Sequence, residues 1–278
     1  MMRRLLCVGL VLWCGVGLGQ AGVMGPPVCP GIKKVIQKDL PRKDIRPVEQ
    51  VRPSVESARA TAEIAAADAS VLVAAEPLEN FGVARYRLQA YGDCVGNGGC
   101  YWQDLDAQLK RGETAFAAEL AKHKKGEKLA LVLDIDETTL SSYCEMKRED
   151  FGYISDMFNT WVVKPEAAVG IPGTLRIYKE ARAAGVAVFF LTGRPEEQRA
   201  GTERNLRAVG YDGWAGVLLR DAGEKEMPTV AYKSGERAKM VAKGYTLVMS
   251  VGDQWSDLMG EPKAKVSVKL PNPFYYLP

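Results

Sequence analysis

Leu129-Ala130-Leu131-Val132-Leu133-Asp134-Ile135-Asp136-Glu137-Thr138 is the stretch from which the fold can be read. Five apolar residues in a row, short and followed by polar ones, read as a strand buried on both faces of a parallel sheet. The run delivers two carboxylates where that strand ends. Ligands of open α/β sheets bind beyond the carboxyl ends of the strands, so this is a poor place for idle charge. Alternate residues of an extended chain share a face, and Asp134 and Asp136 can therefore address one ligand. Crowded carboxylates repel unless a cation or a shared proton intervenes, so the pair predicts a metal, a proton-transfer role, or both.

Downstream, strands and helices alternate, which predicts an α/β fold with a parallel sheet flanked by helices. Strands are expected over 186–191, 216–219 and 246–251, with an edge strand over 265–268. Helices are expected over 173–184, 195–209 and 234–243. Residues 142–170 interrupt the alternation with Tyr143, Phe151, Tyr153, Phe158 and Trp161, and suit a small helical cap over the site. Upstream, helices are expected over 54–75, 79–91 and 102–124, the last from the near-helical spacing of Leu105, Leu109, Phe116 and Leu120. The expected organisation is a leader at 1–21, an extended lead-in at 22–53, a helical region at 54–126 packing on the core, and the catalytic core with its cap insert at 127–278.

The leader is read from Arg3 and Arg4, the apolar run Leu5–Leu18, and small residues at Gly17, Gly19 and Ala21. It falls short of the ~20 apolar residues a spanning helix needs, so no membrane anchor is expected. The protein is therefore read as exported, periplasmic or secreted. The full chain carries 37 Lys and Arg against 34 Asp and Glu; losing Arg3 and Arg4 lowers the formal charge from +3 to +1. No basic block stands out, which gives no case for a nucleic-acid polymer as partner. A homo-oligomer is admitted.

Beyond the leader remain Cys29, Cys94, Cys100 and Cys144, an even number that favours disulfides in an exported chain. Four cysteines permit three pairings. Cys94 and Cys100 bracket a glycine-rich segment as a small closed loop, and Cys29 with Cys144 would tie the N-terminal region to the catalytic side. Zinc is the weaker reading, because no CxxC occurs and His123, read as a surface residue, is the sole histidine.

Three further polar clusters fall where successive elements should end: Thr192-Gly193-Arg194, Lys233-Ser234, and Gly252-Asp253-Gln254-Trp255-Ser256-Asp257. Together with the aspartate pair they suit phosphoryl transfer, with small phosphomonoesters as the expected partners. Asp134 is the candidate nucleophile and Asp136 the general acid and base. Thr192, the backbone at Gly193, and Lys233 would neutralise the phosphate oxygens. Asp134, the Asp136 carbonyl and Asp253 would hold Mg²⁺, with Asp257 binding the metal's water or orienting Lys233. Thr192 is also expected to cap the following helix. Arg194 either grips substrate or pairs with Glu196 or Glu197; Tyr143 and Trp161 are cap candidates for substrate contact, and Trp255 is read as packing.

These residues resemble the haloacid dehalogenase (HAD) superfamily, whose four motifs stand here in order as DxDxT at 134–138, Thr192, Lys233 and GDxxxD at 252–257. TGRPEEQRAGTERNLRAVGYDGW (192–214), TVAYKSGERAKMV (229–241), GDQWSDLMG (252–260) and KLPNPFYYLP (269–278) are similar to the secreted acid phosphatases related to plant vegetative storage proteins. Bacterial nonspecific acid phosphatases of class B and C type form neighbouring branches. The resemblance covers roughly 127–278 and implies a Rossmann-like core, Mg²⁺-dependent phosphomonoesterase activity and a preference for mildly acidic pH. Some storage relatives lack the nucleophilic aspartate, which Asp134 supplies here. The cap stretch SSYCEMKREDFGYISDM follows the family less closely, and substrate choice is least constrained there. The function expected is an exported, broad acid phosphatase; a nucleotidase preferring nucleoside monophosphates and a non-catalytic storage or binding protein are the alternatives. With one histidine and no RHG motif, histidine-nucleophile and dinuclear metallophosphatases are excluded.

Overall fold

The computed structural model describes residues 25–27, 29, 70 and 77–277. The expected leader lies outside these residues, as do the expected helix over 54–75, apart from Ser70, and most of 22–53. Among the described residues two helices, α1 (Phe81–Asp93) and α2 (Tyr101–Leu120), precede β1 (Lys128–Leu133). The insert between β1 and the next core helix holds α3 (Tyr143–Arg148), α4 (Ser155–Trp161) and a 3₁₀ turn at Pro165–Ala167. Then follow α5 (Pro172–Ala183), β2 (Ala187–Pro195), α6 (Arg199–Ala208), β3 (Gly216–Arg220), α7 (Thr229–Ala242), β4 (Tyr245–Gly252) and the edge strand β5 (Val266–Lys269).

The sheet runs β3-β2-β1-β4-β5, and every neighbouring pair is parallel. The chain builds outward from β1 on one side and returns to its other side with β4, so the topological switch point lies between β1 and β4, the place where such folds bind ligands. Strand periodicity divides β1 between two cores. Leu131 and Leu133 join the larger cluster, with Tyr101, Leu105, Leu109 and Phe116 of α2. Ala130 and Val132 face the smaller one, with Leu191, Tyr232, Met240 and Leu247. Each fully buried large side chain of α2 contributes about 1.5–3 kcal/mol, so the helix is integral to the core it covers.

Close approach between α2 and its neighbours needs small residues. A Cβ on Gly173 would come within 2.6 Å of Leu109, and one on Gly112 within 3.3 Å of Val268. Arg176 of α5 crosses to Asp106 and Glu113 of α2, both at 2.7 Å. Both expected disulfides form: Cys94–Cys100 closes the loop between α1 and α2, and Cys29–Cys144 ties the segment around residue 29 to α3.

Three boundaries differ from those read in the sequence. β2 continues through the Thr-Gly-Arg cluster to Pro195, so the following helix begins only after a 3₁₀ turn at Glu196–Gln198. α7 starts at Thr229 rather than 234. Its buried face is Tyr232, Lys233, Glu236, Arg237 and Met240; three of these five carry charge, which hides the apolar period. α2 stops at Leu120, leaving His123 beyond it, half-buried and bonded to Glu127. Trp255, expected to pack, is 56% exposed with Lys269 over its ring.

Candidate active site

The loop after β1 is curled by its own backbone. The Ile135 carbonyl accepts the amides of Thr138, Thr139 and Leu140, and Thr139 Oγ1 donates to the Asp134 carbonyl at 2.6 Å. Glu137 takes a left-handed φ of 54°, costly for a residue with a Cβ. Its carboxylate, fully buried, holds that turn by accepting the Ser142 amide, the Ser142 hydroxyl at 2.8 Å and the Tyr275 hydroxyl at 3.0 Å. Burial, then repulsion from Asp136 and Asp253, pushes the Glu137 carboxyl up to about 8.

Asp134 sits at the centre, buried, its amide bonded to the Val251 carbonyl of β4 at 3.0 Å. Lys233 Nζ donates to Asp134 Oδ1 at 2.7 Å and to Asp257 Oδ1. Among the described residues no donor reaches Asp134 Oδ2. Burial, then the Asp257 charge, raises the Asp134 carboxyl well above the usual range. Burial opposes the charge on Lys233, but Asp134 and Asp257 outweigh it and hold the ammonium above its ordinary value. Lys233 thus reaches the site from inside α7, not from the end of a strand.

Asp253 follows β4, and a Cβ on Gly252 would collide with the Asp257 side chain at 2.2 Å, so glycine is required there. Asp253 accepts from Thr138 Oγ1 at 3.3 Å and, through Oδ2, from Gln254 Nε2 and Asn272 Nδ2, each at 2.6 Å. Burial, then Asp257, raises its carboxyl to about 6. Asp257 spends its oxygens on Lys233 and on the Gln254 amide at 2.8 Å, so it orients the lysine.

Oxygens of Asp134, Asp253 and Asp257 lie within 4.8 Å of one another. Three buried carboxylates against one ammonium leave a surplus of two negative charges, which suits a divalent cation. The donor set is all oxygen, the preference of a hard ion. The Asp136 carbonyl accepts no hydrogen bond among the described residues.

Asp136 is more open, and its carboxylate meets Arg194, with Nη2 to Oδ1 at 2.7 Å and Nε to Oδ2 at 3.0 Å. Arg194 is itself held by Thr202 at 3.0 Å. This corrects the expected pairing: Glu196 goes to Arg199 and Glu197 to Lys225. The physical reason lies in the extension of β2, which carries Arg194 alongside the end of β1. Thr192 is fully buried and accepts the Arg194 amide at 3.1 Å, so it caps no helix. Gly193 is open, and a Cβ there would meet nothing within 4 Å.

A cavity of about 1100 Å³ opens above these groups. Asp134, Asp136, Gly193, Arg194, Lys233 and Asp253 line its floor, and Phe151, Tyr153, Phe158, Phe274, Tyr275 and Tyr276 its walls. Two substrate candidates fall away. Tyr143 is fully buried and bonded to Asp93 at 2.8 Å, because the space beside Gly92 receives its ring. Trp161 packs on Phe158 and is not among the lining residues. Sequence reasoning missed Glu137, Asn272 and Tyr275 as parts of the site. The only signal for the last two was the similarity of 269–278 to the family. Ser256 Oγ, buried and unpartnered among the described residues, also lines the cavity.

The model of the HAD superfamily, subfamily IIIB (acid phosphatase), matches residues 54–278. Acid phosphatase 1 of Solanum lycopersicum is 38% identical over 149 residues, 52% of this chain and 58% of that protein. The stem 28 kDa glycoprotein of Glycine max is 36% identical over 167 residues, 58% and 64% respectively. Vegetative storage protein 1 of Arabidopsis thaliana is 32% identical over 176 residues, 62% and 64%. The chain thus spans under two thirds of the length of these curated relatives. Among solved structures, the class C acid phosphatase from Bacillus anthracis matches with a TM-score of 0.53 at 22% identity, covering 69% of this chain and 86% of that one, a likeness of fold.

Proposed function

The chain belongs to the HAD superfamily, subfamily IIIB, the acid phosphatases, and on that premise we propose that it is an exported, Mg²⁺-dependent phosphomonoesterase of broad range working through an aspartyl-phosphate. The observation that carries the reading is the buried Asp134–Lys233–Asp257–Asp253 cluster at the switch point, with Asp136 beside it and open to the cavity. Residues 127–278 form the catalytic core in this reading. Export is supported by the leader-like start and the two disulfides.

Asp134 attacks phosphorus through the oxygen that Lys233 leaves free. The bond from phosphorus to the leaving oxygen breaks as Asp136 passes its proton to that oxygen. Water then gives a proton to Asp136 and attacks the phosphorus, and the Asp134 carboxylate leaves as phosphate is released. One carboxyl serving in turn as acid and base contributes roughly 10²–10⁴-fold. Arg194 fixes its direction with two parallel hydrogen bonds, one of which opens when that carboxyl carries its proton. Lys233, the Gly193 backbone and Thr192 bind the phosphate oxygens. Asp134, the Asp136 carbonyl and Asp253 would hold Mg²⁺, which would supply positive charge against the transferring group.

The purified protein is expected to release phosphate from p-nitrophenyl phosphate with Mg²⁺ at mildly acidic pH, and Asp134→Asn to abolish turnover. Undiminished rates in EDTA, or in that variant, would overturn the assignment. Aromatic cavity walls favour a second, narrower reading as a nucleotidase. Comparing kcat/KM for nucleoside monophosphates, sugar phosphates and aryl phosphates separates the two. Phosphate binding without turnover would instead support a storage role, in line with the vegetative storage relatives.

A further inference from the structure

The segment after β5 does more than follow the last strand. Leu270 N donates to the Gly252 carbonyl at 2.8 Å, which lays the segment along the end of β4. Asn272 then turns its side chain inward. Its Oδ1 accepts the Phe274 amide at 2.9 Å, which orients the amide group, and its Nδ2 donates to Asp253 Oδ2 at 2.6 Å. Gln254 Nε2 reaches the same oxygen at 2.6 Å, and Gln254 Oε1 in turn accepts the Leu277 amide at 3.0 Å. One oxygen of Asp253 is therefore pinned by two amide donors, both fixed by the 272–277 backbone. Among the described residues the other oxygen meets only the longer 3.3 Å contact from Thr138. Phe274 seats the segment, buried against Tyr101 and stacked on Phe151 of the cap insert.

A carboxylate free to rotate presents either oxygen, or neither, to a cation; one pinned at Oδ2 presents Oδ1. We infer that Asn272 is a positioning residue for metal binding, holding Asp253 so that a single oxygen faces Asp134. The inference rests on the metal reading proposed above. Outer-shell partners of metal ligands typically govern affinity by 10–100-fold.

The test is calorimetric titration of the metal-free full chain with Mg²⁺ alone. Asn272→Ser keeps a hydroxyl acceptor for the Phe274 amide but is too short to reach Asp253; Asn272→Leu removes the donor at similar size. Both are expected to raise the Mg²⁺ Kd about tenfold or more. Lys263→Ala, exposed in the loop before β5 and outside the cavity lining, should leave it within about twofold. At saturating Mg²⁺ the kcat of Asn272→Ser should return to within about threefold of the parent, a recovery that general damage to the fold would not give. Unchanged Kd in both Asn272 variants, with the parent binding Mg²⁺ normally, overturns the positioning role. Failure of the parent itself to bind Mg²⁺ overturns the metal reading beneath it.

Discussion

Glu137 is the residue with the most informative titration. Its carboxyl is raised from 4.5 to about 8 by burial and by Asp136 and Asp253. A carboxyl raised on folding binds more protons in the folded state, so its contribution is fully present below pH 4.5 and is lost as pH rises through about 8. Asp253, raised to about 6, acts in the same direction. The melting temperature of metal-free protein should therefore fall between pH 5 and 8, and Glu137→Gln should flatten, without removing, that slope. An unchanged slope would mean that Glu137 is ionised in the fold. At this scale the sequence was legible where chemistry coincides with a strand end: Asp134, Asp136 and Asp253 come together as the spacing predicts. Glu137 and Asn272 were not, because the contacts that bring them to the site lie across the fold: Tyr275 for Glu137 and Asp253 for Asn272. Local spacing does not disclose the partner of Arg194, because Asp136 lies in the loop after the neighbouring strand rather than one turn away.

Among elements, α7 departs furthest from its sequence signature, and Arg237 shows why. The side chain is fully buried and donates to the carbonyls of Asp257, Gly260 and Pro262 at 2.9–3.0 Å and to that of Met259. A helix that buries a lysine, a glutamate and a guanidinium carries no clean apolar stripe, so periodicity does not mark where it begins. Those carbonyls belong to the loop that holds Asp257, and hence Lys233. Arg237→Met should take from the buried Asp257 carbonyl its 2.9 Å donor, at a cost of about 1–3 kcal/mol, and deprive three part-buried carbonyls of the same guanidinium. We expect a loss of at least about 2 kcal/mol in urea unfolding; a loss below about 1 kcal/mol would show that the loop is held by other contacts. The strands, by contrast, were legible to within a residue or two except β2, whose polar end disguised its continuation.

For the molecule as a whole, the two disulfides close loops of very different length, with sequence separations of 115 and 6. Chain-entropy scaling gives about 5 kcal/mol for the long loop and about 2 kcal/mol for the short one. Replacing Cys29 and Cys144 by serine should therefore lower the urea midpoint about twice as far as replacing Cys94 and Cys100. Equal shifts would count against the long loop as the main restraint. The α/β architecture itself was readable from alternation alone. The role of α2 as a cover for one sheet face was not, since nothing local says which face a preceding helix will take.

The placement of β1 between β2 and β4 has a kinetic consequence. Leu133 pairs with Val251, so the central strand acquires its second neighbour only after more than a hundred intervening residues have been arranged. Parallel pairings of such separation make refolding slow. The same event that completes the sheet brings Asp253 to Asp134. During refolding, recovery of turnover should therefore lag early helix formation and coincide with the last spectroscopic phase, so that no half-folded species hydrolyses substrate.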